Sequence, residues 1–306
     1  MIEGTCDDRY TRVREAFEAN FEHGLESGAS VAVIVGDDVV VDLWGGVADA
    51  ASGRPWERDT IVCTWSCTKT MAALCVLTLA DRGELSLHAP VARYWPEFAA
   101  AGKAAVEVRH LLSHTAGLPG WDDPMTLDDL YDVPGAAARL AAQAPWWEPG
   151  SAAGYHAVTQ GYLLGELVRR VTGATLGEWF ASTFAGPLGA DFHIGTGPEH
   201  DARIATIEPP SGPLGAAAEP GSLAARALRN PVIEATVAHT EAYRRVELPA
   251  SNGHGNARAL ATVQHVVSGG GRAGGHRFLP DAGVDAIFEA QATGTDLIQS
   301  TPIRIG

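Results

Sequence analysis

Two side chains with complementary chemistry, Ser66 and Lys69, stand three residues apart where an apolar run begins. The run over 71–80 places apolar side chains close to i, i+3, i+4 spacing and stops at Asp81-Arg82-Gly83, which predicts a buried helix with a glycine cap. Residues three apart share one helix face. A neutral lysine there could accept the serine proton, and free amides at the helix start could stabilise a developing oxyanion. The pair therefore predicts nucleophilic catalysis by Ser66, with Lys69 as the base.

The alternative interpretation is that Ser66 is an ordinary N-cap and Lys69 a solvated side chain. The choice of basic residues favours chemistry, because only two of the 22 Lys and Arg residues are lysines and one of them is Lys69. Arginine does not lose its proton in a protein, whereas a buried lysine can. Lys69 therefore stands where arginine could not act as a base.

Composition limits the classes of protein to which the chain can belong. With 306 residues and 46% hydrophobic content, it can bury a full core and form one large domain or two interleaved ones. The net charge of -15 argues against nucleic acid or an anionic membrane as a partner. The longest apolar run is about ten residues, half of the ~20 that a membrane helix needs. These features predict a globular protein.

The N-terminus and the cysteines predict the compartment. The N-terminus, residues 1–8, has no basic region followed by an apolar stretch, so the sequence predicts no signal peptide and a cytoplasmic protein. The four cysteines include no C-x-x-C pair and favour reduced core thiols. We expect no disulfide, metal site or cofactor. The cysteines are Cys6, Cys63, Cys67 and Cys75.

The elements that must position the pair are predicted from periodicity and turn residues. Two β-branched runs over 30–35 and 39–44, joined by a Gly-Asp-Asp turn, predict a hairpin. Proline, glycine and alanine dominate 208–231, which predicts a long irregular loop around one short helix that can line a site. Further helices are predicted over 9–20, 135–144, 158–172 and 257–267.

Three other patterns are weaker. His110 and His114 have the i, i+4 spacing of a metal pair, but no glutamate stands between them as in H-E-x-x-H. The acidic stretch 122–132 is broken by proline and predicts a solvated loop rather than a cation site. The glycines of 269–274 satisfy G-x-G-x-x-G but follow a helix, which predicts a surface turn.

Four segments carry a family resemblance. In chain order they are Ser66-Cys67-Thr68-Lys69, residues 110–118, Tyr155-His156-Ala157 and residues 252–258. Together they resemble the class C β-lactamase superfamily, and most closely the esterases with a β-lactamase fold, carboxylesterase family eight. The first segment is the S-x-x-K nucleophile signature of serine β-lactamases and penicillin-binding proteins. The resemblance covers nearly the whole chain.

The resemblance implies an α/β (α+β) fold of the β-lactamase/transpeptidase type. An antiparallel sheet flanked by helices would carry an inserted all-helical region, with the active site in the cleft between them. We expect residues 1–64 and 257–306 to form the sheet region, and residues 65–256 to form the helical region that bears the cleft.

The same resemblance assigns roles to individual residues. Ser66 is acylated, Lys69 is the base, and the phenol of Tyr155 relays a proton to the leaving group and activates water. The alternative for Tyr155 is a core aromatic with a satisfied hydroxyl. Four residues fall in segments that border the cleft in the family, with the last expected to shape the pocket rather than catalyse. They are Leu118, Trp121, His156 and His254.

Two departures from the family pattern affect the expected activity. Class C β-lactamases carry Tyr-x-Asn at the second motif, where the asparagine contacts the antibiotic's amide. Ala157 stands there and cannot make that hydrogen bond, which tilts the expectation toward simple esters. The third motif, a Lys or His followed by a small residue and glycine on a strand, would fall beyond Gly306. Neither His254-Gly255 nor 274–276 is expected on a strand.

The absent third motif implies that late sheet strands and part of the oxyanion hole are missing from the chain. Losing one oxyanion donor typically costs ~10²–10³ in rate, and an isolated hairpin edge is a poor stable structure. We therefore expect a missing C-terminal segment, or a second chain, to complete the sheet.

The sequence leaves four functions open. The first is a serine hydrolase that cleaves small acyl esters through an acyl-enzyme on Ser66. The second is acyl transfer to an alcohol or amine on the same machinery. The third is a β-lactamase or D-alanyl peptidase, and the fourth is a non-catalytic binding protein that lacks the third motif.

Overall fold

Strands from the N-terminal part of the chain form a four-stranded antiparallel sheet in the computed structural model, which describes residues 2–209 and 212–306. The order is β1-β3-β2, and β4 pairs with β3. The β-branched runs form the predicted hairpin, whose turn uses Gly36 at φ 60, a conformation that glycine adopts without strain. The strands of this sheet are β1 (Ile2–Cys6), β2 (Gly28–Val35), β3 (Asp38–Asp49) and β4 (Arg54–Pro55).

Three smaller antiparallel sheets follow. The middle strand of the first, β7, pairs with β5 and β6 and so joins segments from early, middle and late in the chain. The other two are two-stranded. Their strands are β5 (Val62–Cys63), β6 (Phe192–Ile194), β7 (Gly253–Gly255), β8 (Arg272–Ala273), β9 (His276–Arg277), β10 (Ala292–Thr295) and β11 (Pro302–Ile305).

Helices make up most of the remaining regular structure. The predicted helices over 9–20, 135–144, 158–172 and 257–267 are all present, with ends shifted by at most two residues. The helices are α1 (Thr11–Glu22), α2 (Thr68–Asp81), α3 (Val108–Leu112), α4 (Leu127–Tyr131), α5 (Val133–Ala142), α6 (Thr159–Thr172), α7 (Leu176–Phe180), α8 (Gly186–Leu188), α9 (Leu223–Leu228), α10 (Glu241–Arg245), α11 (Ala257–Ser268) and α12 (Asp281–Phe288).

Helices cover the four-stranded sheet and fix its position. On α1, Phe17 packs against Val41 and Leu43 of β3. On α11, Arg258 donates to both carboxylate oxygens of Asp42, at 3.0 and 2.8 Å, so an ion pair joins the helix to the sheet. Antiparallel strands flanked by helices match the predicted fold class.

The helical region is organised around α2, in which nine of the fourteen residues are buried. Its apolar side chains leave no polar face, which is typical of a helix enclosed by others, and it packs on α6 and α7. Burial of most of the helix surface fixes the start of α2, and hence Ser66 and Lys69, relative to the surrounding helices. Among the described helices, none has the length and apolar character needed to cross a membrane.

Three sequence expectations fail at the level of secondary structure. In the segment 274–276, His276 begins strand β9, because the left-handed turn at Gly274 and Gly275 brings it into pairing with β8. His254-Gly255 does lie on a strand, β7, because pairing with β5 and β6 on both sides outweighs the low strand propensity of glycine. The acidic stretch expected as a loop contains α4, whose Thr126 caps the helix by accepting from Asp129 N. The predicted long loop contains α9 as its short helix, while positions 210 and 211 lie outside the described residues. The division at 64 and 256 stays a prediction.

Candidate active site

Ser66 lies in a short 3₁₀ turn that leads into α2 rather than in the helix itself. The preceding Trp65 has φ 47, a left-handed conformation that is strained for a bulky side chain. Strand β7 holds the turn, since Thr64 Oγ1 donates to Gly253 O at 3.0 Å and Thr68 Oγ1 accepts from Gly253 N at 2.8 Å. The strain is therefore maintained by tertiary hydrogen bonds beside the serine.

Lys69 is buried in the first turn of α2, with its Nζ 3.1 Å from Ser66 Oγ. The same nitrogen donates to two backbone carbonyls, Ala157 O at 2.6 Å and Ala250 O at 2.8 Å. A neutral amine has two protons and one lone pair. The two carbonyls take both protons, which leaves the lone pair facing Ser66.

Burial lowers the pKa of Lys69 from 10.5 to about 7, because the ammonium ion loses its hydration inside the protein. A large part of the lysine population is then neutral near neutral pH. The geometry and the lowered pKa both suit a group that removes a proton from the Ser66 hydroxyl.

Tyr155 comes from a segment 89 residues further along the chain, and its Oη donates to Ser66 Oγ at 2.6 Å. Lys69 Nζ also lies 4.8 Å from the centre of the Tyr155 ring. Burial raises the pKa of Tyr155 above its usual value of 10, which keeps the phenol protonated as a hydrogen-bond donor. The structure thus brings Ser66, Lys69 and Tyr155 together in one hydrogen-bonded group.

Two buried histidines support Tyr155. The ring of His114 meets that of Tyr155 edge to face, with centroids 5.0 Å apart, and its Nδ1 accepts from His156 N at 3.2 Å. His156 Nε2 accepts from Leu118 N at 3.0 Å, so its proton sits on Nδ1 and faces Gly154 O. Burial lowers the pKa of His156 to about 4 and that of His114 well below its usual value. Both imidazoles are therefore neutral supports.

The amides at the start of α2 differ from the sequence expectation. Cys67 N donates to Thr64 O at 3.1 Å, and Thr68 N is bonded to carbonyls within the turn. These two amides are engaged by the 3₁₀ turn and cannot serve an oxyanion. The Ser66 amide is the backbone donor adjacent to the nucleophile.

A cavity of about 1140 Å³ opens beside the three polar groups and includes Ser66, Tyr155 and Ala157 in its lining. The four residues expected to border the cavity are not part of its lining, and each is at most 2% exposed. Their predicted role as cavity lining does not fit these positions. The four are Leu118, Trp121, His156 and His254.

Hydrogen bonds within the fold satisfy polar atoms of two of these buried residues. Trp121 Nε1 donates to Ala136 O at 2.9 Å, and His254 pairs through Nδ1 with Asn252 O at 2.8 Å. Burial lowers the pKa of His254 to about 4. His110 accepts from Glu107 N within the helix cap of α3, so the i, i+4 histidines serve separate structural roles.

Several residues at the site carry no sequence signal. The carbonyls of Ala157 and Ala250 bind Lys69 through backbone atoms, which any residue type could supply. Asp296 accepts from Tyr155 N at 3.2 Å, although nothing near it in sequence suggests a site. His114 could have been found only through its place in the second resembling segment.

Comparison with known proteins gives the family. The chain matches the family described as Beta-lactamase over residues 17–306. With a sheet flanked by helices and a serine–lysine–tyrosine group in the cleft, the chain belongs to the β-lactamase family, and its fold is of the β-lactamase/transpeptidase type.

Two curated proteins are similar to the chain in sequence. The chain is 36% identical over 298 residues to esterase/beta-lactamase LipL of Mycobacterium tuberculosis (strain ATCC 25618 / H37Rv), covering 90% of this chain and 66% of LipL. It is 37% identical over 194 residues to esterase EstB of Burkholderia gladioli, covering 56% of this chain and 49% of EstB. The chain therefore spans between half and two thirds of the length of these curated relatives.

A solved structure extends the similarity to three dimensions. The crystal structure of a family VIII carboxylesterase is 42% identical to this chain and superposes with a TM-score of 0.93, covering 99% of this chain and 81% of the other. The resemblance inferred from the sequence motifs is confirmed at the level of the family and the fold.

Proposed function

We propose that the chain is a serine hydrolase of the esterase type, which cleaves small acyl esters through an acyl-enzyme on Ser66. One observation carries the proposal: Ser66 Oγ lies within hydrogen-bond distance of both Lys69 Nζ, at 3.1 Å, and Tyr155 Oη, at 2.6 Å. The relatives named as esterases, LipL, EstB and the family VIII carboxylesterase, support the same assignment.

Acylation uses the lone pair of Lys69 and the proton of Tyr155. Lys69 takes the Ser66 hydroxyl proton as Oγ bonds to the ester carbonyl carbon, and the Ser66 amide donates to the carbonyl oxygen as it gains charge. The carbon–oxygen bond to the alcohol then breaks, and Tyr155 gives its proton to the departing oxygen. The products are the free alcohol and an acylated Ser66.

Deacylation runs the same transfers in reverse. The Tyr155 phenolate takes a proton from water, and the resulting hydroxide bonds to the acyl carbon. The bond to Ser66 Oγ breaks, and Lys69 returns its proton to that oxygen. The acid leaves, and all three side chains regain their starting protonation states.

The decisive experiment compares hydrolysis of 4-nitrophenyl esters by the wild type and by Ser66→Ala. We expect Ser66→Ala to lose at least ~10³ in kcat, as removing a nucleophile does in other serine hydrolases. Ser182→Ala is the matched control, since this exposed serine only contacts backbone of its own helix. A fluorophosphonate probe should label the wild type and the control but not Ser66→Ala.

The other functions left open are separate outcomes of the same assay. Faster turnover of a chromogenic cephalosporin than of any ester would assign a β-lactamase. Product transferred to an added alcohol, in place of free acid, would assign an acyltransferase. If neither substrate is turned over and the probe leaves Ser66 unlabelled, a binding role is favoured and the proposal fails.

A further inference from the structure

Four exposed leucines surround the mouth of the cavity beside Ser66. They come from three separate parts of the chain, namely α4, the 212–228 segment with its helix α9, and the turn after β10. Exposed apolar side chains gathered around a cavity mark a binding surface, whereas scattered ones need no explanation. They are Leu127, Leu214, Leu223 and Leu297, with exposures of 38%, 41%, 36% and 37%.

The interior of the cavity is also apolar. Leu130, Leu248 and Ile298 line it together with Ile233 and Val237. Among the described residues of the lining, Glu219 is the only one that carries a charge at neutral pH, and it is exposed. A substrate carboxylate that entered this space would lose its hydration without meeting a cation of the lining, and would meet the negative charge of Glu219.

The volume sets the size of the group that fits. Pockets for drug-sized ligands measure roughly 300–1,000 Å³, so a cavity of about 1140 Å³ is much larger than an acetyl group requires. A short ester would leave most of the apolar wall in contact with water. A longer apolar group would displace that water and bury the surface of both partners.

We propose that the preferred substrate is a neutral ester whose acyl group is a medium-length hydrocarbon chain, and that anionic acyl groups are rejected. The inference rests on the proposed esterase function and adds the chemical class of the substrate. The acyl chain lies along the apolar wall formed by Leu248 and Ile298 and reaches the ring of four leucines at the mouth.

The first test compares three 4-nitrophenyl esters on the wild-type protein: the acetate, the octanoate, and the mono-ester of suberic acid, which matches the octanoate in length but ends in a carboxylate. We expect kcat/KM for the octanoate to be at least tenfold higher than kcat/KM for the acetate. It should also be at least tenfold higher than kcat/KM for the suberate mono-ester. Acetate preferred to octanoate, or suberate cleaved as well as octanoate, would overturn the inference. Hydrolysis of none of the three would instead defeat the proposed function.

A second test places a charge on the mouth of the cavity. Leu223→Glu should lower the ratio of octanoate to acetate kcat/KM severalfold, and Leu223→Arg should raise the ratio of suberate to octanoate. Leu25→Glu is the control, because this leucine is 70% exposed and does not line the cavity. If both kcat/KM ratios are the same in the two Leu223 variants as in the Leu25→Glu control, the exposed leucines do not contact the acyl chain.

A separate observation concerns the buried carboxylate of Asp296, which is 4% exposed. Its Oδ1 accepts from three backbone amides: Tyr155 N at 3.2 Å, Ile298 N at 2.8 Å and Gln299 N at 2.7 Å. Leu297 N also donates to Ala153 O at 3.0 Å. One side chain thereby joins the turn after β10 to the backbone of Tyr155.

The structure assigns Asp296 as a positioning residue that acts through Tyr155. Its carboxylate fixes the backbone from which the phenol reaches Ser66, and it fixes the apolar wall made by Leu297 and Ile298 on the same turn. A shift of about 1 Å at a reacting group can cost ~10² in rate, so the loss of this one acceptor affects the chemical step.

Two substitutions separate positioning from folding. Asp296→Asn keeps a carbonyl oxygen at the same place and should retain kcat within about threefold. Asp296→Ser can still accept from the amides two and three residues later, as serines do in turns, but its hydroxyl is too short to reach Tyr155 N. We expect Asp296→Ser to lower kcat roughly 10- to 100-fold with little change in KM for the acetate.

The melting temperature of each variant shows whether it folds, and labelling by the fluorophosphonate probe shows whether Ser66 is still reactive. Asp296→Ser with wild-type kcat would refute the positioning role. So would an equal loss of kcat in Asp296→Asn, because the asparagine oxygen should rescue it. Glu247→Gln is the matched control, since Glu247 accepts from Gly177 N at 2.9 Å away from the site and should leave kcat unchanged. If Asp296→Ser does not fold, the kcat of Asp296→Asn decides the outcome.

Discussion

Lys69 and Lys103 are both buried, and both donate from Nζ to two backbone carbonyls. Lys103 contacts Ala100 O at 2.9 Å, at a kink within the 3₁₀ segment Pro96–Gly102, and Gln143 O, directly after α5. Lys69 contacts Ala157 O and Ala250 O in the same way but has a third neighbour, the hydroxyl of Ser66. Only one of the two similar lysines faces a group that can give up a proton.

Burial acts on the two side chains in the same direction. Burial lowers the pKa of Lys69 to about 7 and that of Lys103 to about 8. The surroundings differ: Lys103 Nζ meets two carbonyl oxygens, which have no proton to give, whereas Lys69 Nζ also meets the Ser66 hydroxyl. Burial of a lysine therefore does not by itself make a base. A base also needs a lone pair directed at a proton donor and an open space where substrate can bind.

The largest expected difference between the two lysines is catalytic. Lys69→Arg should lower kcat/KM for a nitrophenyl ester by about 10³ or more, because the guanidinium keeps its proton at all accessible pH values. Lys103→Arg should leave kcat/KM per folded molecule unchanged. Steady-state kinetics on both variants, with the folded fraction of each determined by circular dichroism, measures this. Equal losses in the two variants would remove the distinction.

The next largest effect on kcat is expected at Tyr155, which shares the Ser66 hydroxyl with Lys69. Tyr155→Phe removes the donor to Ser66 Oγ while keeping the ring beside Lys69 and His114, and should lower kcat by about 10², within the range for a general acid. Tyr131→Phe is the control, because that residue also lines the cavity without contacting Ser66. A Tyr155→Phe enzyme with full kcat would show that the proton reaches the leaving group by another route.

The pH dependence of kcat/KM should follow the titration of Lys69 and not that of Lys103. Lys69 must be neutral to act, so kcat/KM should fall tenfold for each pH unit below about 7 and level off above it. The upper limit should lie above pH 10, since Tyr155 must keep its proton and its pKa is raised. Kinetics with a neutral ester from pH 5 to 10 gives the profile. If the break near pH 7 disappears in a Lys103→Met variant, the break belongs to Lys103, and its assignment to Lys69 is wrong.

The smallest effect is on stability. Lys103→Met leaves the carbonyls of Ala100 and Gln143 without their donor, and buried acceptors that lose a partner cost about 1–3 kcal/mol. Urea denaturation should show a lower midpoint for this variant with little change in slope. A midpoint equal to that of the wild type would mean that the two carbonyls find other donors.

Much of the local structure follows from local sequence. The hairpin is predicted by β-branched runs around a glycine turn, and α6 by its periodicity and by Gly173, which adopts φ 79 at the helix end. The strand β7 could not be predicted, because Gly253-His254-Gly255 has low strand propensity and becomes a strand only through partners at 62–63 and 192–194. Local signals fail where distant pairing supplies the energy.

The sequence by itself determined the spacing of Ser66 and Lys69, since three residues bring two side chains to one face at the start of a helix. Only the tertiary structure decided that Lys69 loses its charge so readily and where its lone pair points. Those properties depend on enclosure by other helices and on the carbonyls of Ala157 and Ala250, the second of them 181 residues away. A carbonyl is present in every residue, so its position in space, and not its residue type, carries the information.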